Sequence, residues 1–139
     1  MTQMAPMEPF DELGETIEDY RLQSRHFLER SHHYLAADDL HQASEKGWGA
    51  AAWMAKAAAT AQGWQYNRHE HFGEVLYQAG QLTGDDRLRT LRAIANGLHG
   101  NFYQRKRFLH ADGIASSLEE VATLLDILEP LTERNNLLT

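Results

Sequence analysis

Residues 38–63 read DDLHQASEKGWGAAAWMAKAAATAQG. Asp38 and Asp39 break the chain and offer an N-cap, because a carboxylate oxygen accepts from the unpaired amides of a first helical turn. Gly63 suits the position just past a helix, where the backbone turns left-handed. Between them there is no proline, and Ala50 to Ala59 is apolar nearly all round. A helix without a wet face is packed on several sides. The pattern predicts a helix over 40–62 that others surround. Its alanines permit close approach, while Trp48 and Trp53 supply bulk.

The flanks repeat the helical period. Upstream, Leu13, Ile17, Tyr20, Ser24, Phe27, Ser31 and Tyr34 recur at spacings of four and three, with Leu28 and Leu35 beside them. That is one stripe of a helix over about 11–36. Acids crowd its first turns and Arg21, Arg25 and Arg30 follow, an order that complements the helix dipole. Downstream, Phe72, Val75, Leu76 and Ala79 mark a shorter helix over about 69–82. Thr83 to Asp86 reads as a turn with Asp86 as N-cap, and a helix runs from there to at least Tyr103. Asp112-Gly113 reads as a loop. Ser116 with Glu119 and Ser117 with Glu120 form two capping boxes that open a fifth helix. Leu118, Val121, Leu124, Leu125, Leu128 and Leu131 give its inner face, and Pro130 ends or kinks it. The expected fold is an all-α up-and-down bundle of four long helices plus one shorter, over residues 10–133. Residues 1–9 read as an arm and 134–139 as a tail.

The chain has 139 residues, enough for one domain with its own core. Thirteen Lys and Arg against 20 Asp and Glu leave a net charge of −7, which excludes a cationic coat over the whole surface. No cysteine is present, so disulfides, thiolate metal sites and a cysteine nucleophile are excluded. No apolar run reaches membrane-spanning length and no signal-peptide pattern opens the chain, so the expected compartment is the cytoplasm, with no membrane partner. A phosphate-binding loop and a dinucleotide fingerprint are both missing, and no cofactor is expected.

The fourth helix carries the chemistry. At 100° per residue, Leu88, Leu91, Ala95, Leu98 and Phe102 fall within about 60° of one direction, a core stripe. Arg89, Arg92, Asn96, His99 and Tyr103 form a polar stripe at its edge. Ala93, Gly97 and Gly100 form a third. Two glycines on one helical face cost roughly 1 kcal/mol each against alanine, so they suggest a backbone that a partner helix or a phosphate chain approaches. From Arg87 to Ala111 there are five Arg and one Lys, and all the acids lie elsewhere. Such an island steers an anion to one place. For Arg105, Lys106 and Arg107 a plainer role is neutralising the helix C-terminus. That role explains Arg92 less well, because Arg92 stands in mid-helix.

Three stretches resemble the HEPN superfamily (higher eukaryotes and prokaryotes nucleotide-binding domains), and within it a PaREP-like branch. They are Phe27-Leu28-Glu29 leading into Leu40 to Ala51, with its Ala-x-Glu-Lys-x-Trp pattern; His69 and His71 before the third helix; and Leu98-His99-Gly100-Asn101-Phe102-Tyr103. The resemblance spans roughly residues 13–131. It implies a helical bundle and, in many members, a metal-independent ribonuclease whose signature is Arg, four to six residues, then His. Arg92 and His99 are separated by six. The tighter Arg-Asn-x-x-x-His form is missing, since Ile94 and Ala95 stand there and Asn96 comes one step later. Other members are inactive partners of nucleotidyltransferases or ligand-binding dimers.

Arg92 and His99 lie on one face but about 10.5 Å apart along the axis. Helical side chains lean toward the N-terminus, so Arg92 leans away from His99. Antiparallel copies of the helix, crossing near Asn96, bring Arg92 of one chain beside His99 of the other, an isologous contact. The expectation is a homodimer acting on RNA or a nucleotide, with an antitoxin or nucleotidyltransferase as possible protein partner. His99 is the general base and Arg92 the phosphorane stabiliser. Asn96 and Tyr103 position the strand, and Arg105, Lys106 and Arg107 bind flanking phosphates. A plain interface histidine is the alternative for His99. Metal chemistry is less supported: Glu29-x-x-His32 stands alone, and His69, His71 and Glu74 read as a solvent-facing cluster. Glu45-Lys46 reads as an ion pair or part of a cleft floor, and Trp48, Trp53 and Tyr77 as core.

Overall fold

A computed structural model describes residues 12–133. Within them lie α1 (Glu12–Ala36), α2 (Leu40–Gln62), α3 (His71–Thr83), α4 (Arg87–Asn101) and α5 (Ala111–Leu128), with 3-10 turns at Lys106–Phe108 and Glu129–Thr132. No strand occurs among the described residues. The arm at 1–9 and the tail at 134–139 lie outside them.

The central helix is as expected. Asp39 caps α2, its carboxylate accepting from the Gln42 amide at 3.2 Å, and Gly63 closes it at φ 81°. Ala43, Ala50, Ala51, Ala55, Ala57 and Ala58 are wholly buried. Close approach is concentrated at two glycines. A Cβ on Gly47 would stand 2.5 Å from Leu118 Cδ2 of α5 and 3.1 Å from Leu98 Cδ1 of α4, and one on Gly49 would strike the Phe27 ring of α1. Ser24 and Ser31, the small members of the α1 stripe, are also buried. Ser24 Oγ donates to the Ala50 carbonyl of α2 at 2.6 Å, so its hydroxyl is paired and does not weaken the seam. α5 ends at Leu128, and Pro130 lies in the 3-10 turn that follows.

Several boundaries differ. α4 stops at Asn101, so Phe102 leaves the core stripe and is 45% exposed. α5 begins at Ala111, before both capping boxes, and Asp112-Gly113 is its first turn rather than a loop. Burial of Leu109 and Ile114 draws this segment onto the core and into helix earlier than Ser116. α3 starts at His71, leaving His69 in the preceding turn. Asp86 holds the N-cap position of α4 but its side chain makes no cap bond; the Asp85 carboxylate accepts from the Arg87 amide at 3.0 Å and also pairs with the Arg87 side chain. Tyr77 is not core but 61% exposed, and Leu13 at the start of α1 is 43% exposed.

Candidate functional site

The α4 pattern divides as its angles predict. Leu88, Leu91, Ala95 and Leu98 are buried, while Arg89, Arg92 and Asn96 are exposed. His99 lies between, its side chain 29% accessible. Gly97 and Gly100 face open space: a Cβ on either meets nothing within 4 Å. The face they share with Ala93 is therefore uncovered by this chain.

His99 stands in a built environment. Its Nδ1 lies 3.3 Å from Glu45 Oε1 of α2. A carboxylate only accepts, so the proton between them belongs to Nδ1 and neutral His99 keeps Nε2 as an acceptor. The ring packs 5.1 Å from Trp48, 4.9 Å from His69 and, edge-on, 5.9 Å from Tyr103. Trp48 is buried and also touches His69 at 4.8 Å, so three rings hold one another's orientation. Glu45 and Trp48 sit three residues apart on α2, which puts both on the side that meets α4. Asn101 adds a neighbouring tie, donating to Ser44 at 3.1 Å.

Arg92 has different neighbours. Its guanidinium lies against Gly73 of α3, where a Cβ would stand 2.6 Å away. Gly73 is buried and Arg92 exposed, so the missing side chain makes room for the cation to lie flat on the helix. Arg92 makes no ion pair among the described residues. Within one chain His99 thus meets Glu45, Trp48 and His69, while Arg92 meets Gly73.

The remaining site residues separate further. Asn96 is exposed and Tyr103 is 75% exposed, against both His99 and Phe102. Lys106 is already engaged: its ammonium donates to the Asp38 carboxylate at 2.8 Å and the Asp38 carbonyl at 3.0 Å. It ties the segment after α4 to the α1–α2 turn, where Asp38 adopts φ 62°. The Gln104 carbonyl, 2.6 Å from His41 Nε2, is a second tie. Arg105 and Arg107 stay exposed, Arg107 over the Phe108 ring at 4.8 Å. Arg87 is engaged too, and its guanidinium holds the Asp85 carboxyl below the usual carboxylate range. The cationic island thus presents Arg89, Arg92, Arg105 and Arg107.

Two partners were missed in the sequence. Glu45 pairs with His99 across 54 positions, and not with Lys46, whose ammonium lies 4.9 Å from the Phe27 ring centre. His69 stacks on His99 instead of joining His71 in a cluster. Among the described residues no group of three or more His, Asp or Glu is disposed to hold a metal ion, and no helix is long and apolar enough to cross a membrane. A family model described as the archaeal PaREP1/PaREP8 family matches residues 19–125. No curated protein and no solved structure matches the chain.

Proposed function

The chain belongs to the archaeal PaREP1/PaREP8 family, and from that premise we propose that it is a HEPN-like homodimer that cleaves RNA without a metal ion. The observation that carries this reading is the Glu45–His99 contact on α4, beside exposed Arg92 and the uncovered strip of Gly97 and Gly100. A carboxylate on Nδ1 fixes the imidazole and leaves Nε2 free to take a proton. In the proposed dimer two α4 helices cross antiparallel near Asn96, over the open glycines. Arg92 of one chain then faces His99 of the other. His99 Nε2 removes the ribose 2′-hydroxyl proton, and the 2′ oxygen attacks the adjacent phosphorus. The bond to the 5′ oxygen breaks, and the imidazolium returns its proton to that leaving oxygen. A 2′,3′-cyclic phosphate and a 5′-hydroxyl result. Arg92 neutralises the phosphorane, Asn96 and Tyr103 orient the strand, and Arg105 and Arg107 hold neighbouring phosphates. Glu45 is a positioning residue that acts through His99.

The test is incubation of a mixed RNA pool with the wild-type chain in EDTA, with mapping of the ends. Cyclic phosphate ends are expected. His99→Ala is expected to lower the rate about 10²- to 10⁴-fold, the usual worth of a general base. Glu45→Gln is expected to lower kcat with little change in KM. Retained cleavage by folded His99→Ala removes His99 from the mechanism.

A second reading has its own support. Trp48, His69 and His99 occupy one another's ring faces, which suits a silent module that binds a nucleotide or a protein partner such as an antitoxin or a nucleotidyltransferase. Absence of cleavage by a folded, dimeric wild type favours it.

A further inference from the structure

Between α3 and α4 runs a cleft of which the proposed chemistry uses only Arg92, on the rim. Its floor is apolar, from Leu76 and Leu88, both buried. One wall is Tyr77, 61% exposed. The rim is cationic, from Arg89 and Arg92. Arg89, like Arg92, is exposed and makes no ion pair among the described residues. At the far end stands Asp85, held as a carboxylate by Arg87. A solvent-facing aromatic ring beside two unpaired guanidinium groups suits a ligand that is flat and apolar at one end and anionic at the other. A nucleotide has that chemistry: the base stacks on the ring and the phosphate meets the cations.

We infer that this cleft is a flanking-nucleotide subsite, seating one base on Tyr77 and its phosphate against Arg89 at the Arg92 edge. The inference rests on the reading of the chain as an RNA-binding protein. In the proposed dimer Arg92 faces His99 of the other chain, and Arg89 lies three residues, about 4.5 Å, farther along the α4 axis. The seated nucleotide is therefore not the one that reacts. It sets the register of the strand, as a specificity-determining contact outside the reacting centre. Asp85 repels phosphate and ends the track at the α4 N-terminus. A base must be unstacked to lie on Tyr77, so the subsite selects unpaired strands.

The experiment measures the affinity of full-length protein for two fluorescein-labelled probes, an oligouridylate and the same backbone without bases. The background is His99→Ala, so that the probe survives. Tyr77→Ala is expected to weaken oligouridylate binding at least about fivefold, from the loss of one base stack, and to leave the abasic probe unchanged. Tyr77→Phe is expected to bind like its parent, since the ring remains. Arg89→Gln is expected to weaken both probes and to lower the slope of log affinity against log salt by about one. Tyr77 and Arg89 are exposed, so loss of folding does not account for these effects. Equal affinity of Tyr77→Ala and its parent overturns the subsite, as does an equal loss on the abasic probe. Failure of the parent to bind oligouridylate overturns it as well. Wild type that leaves RNA uncut, with Tyr77-dependent binding intact, overturns the nuclease reading alone.

Discussion

Burial pushes the Tyr66 phenol from 10.0 up to about 12, because a phenolate between the core and the α2–α3 connection loses its hydration. The sign follows from that direction. Below pH 10 the phenol is neutral in both folded and unfolded chains, and its contribution to stability is complete. As pH rises through about 12 the unfolded chain has already released the proton that the folded chain still holds, so stability falls. Tyr66→Phe is expected to flatten the alkaline limb of a urea-unfolding series between those values, leaving the neutral region little changed. A Phe variant with the same alkaline limb assigns that slope to other groups. At this scale the sequence is only partly readable. Arg92 and His99 stand out because one helix carries both, and their spacing is local. Glu45 does not, because its meeting with His99 depends on how α2 is rotated against α4.

At the scale of elements, glycines in helices have opposite meanings that packing alone separates. Gly47 sits where α4 and α5 close on α2. The Leu118 and Leu98 methyls that a Cβ would strike belong to buried side chains, which must shift to admit it. Gly47→Ala is expected to destabilise the fold by about 1 to 3 kcal/mol through overpacking. Gly97 meets nothing, and Gly97→Ala is expected to stabilise the monomeric chain by about 1 kcal/mol through helix propensity. Urea unfolding of both variants in dilute solution checks the pair, and equal shifts contradict the assigned seam. The helix ends follow the same logic. Asp39 and Gly63 were readable because a cap is made by neighbours in the chain. The start of α5 was not, since Ser116 and Ser117 offered a better local signal than Ala111. Burial of Leu109 and Ile114, a tertiary gain, outweighed it.

For the whole molecule the deciding feature is the uncovered face of α4. Ala93, Asn96, Gly97 and Gly100 present a smooth, largely uncharged strip beside Arg92. An isologous dimer on that strip completes the proposed site. Light scattering is expected to show a dimer for the wild type and a monomer for Gly97→Arg, whose Cβ meets nothing within 4 Å in its own chain. A Gly97→Arg variant that stays dimeric moves the interface elsewhere, and the composite Arg92–His99 site with it. The sequence by itself determined the helical class, the central place of α2 and the core, polar and small stripes of α4. Each of these follows from a 3.6-residue period and from the chemistry of single residues. Only the tertiary structure decided that Glu45 and His69 attend His99, that Lys106 is spent on Asp38, and that Tyr77 faces solvent. Those outcomes depend on helix rotation and on contacts between distant parts of the chain, which no local period encodes.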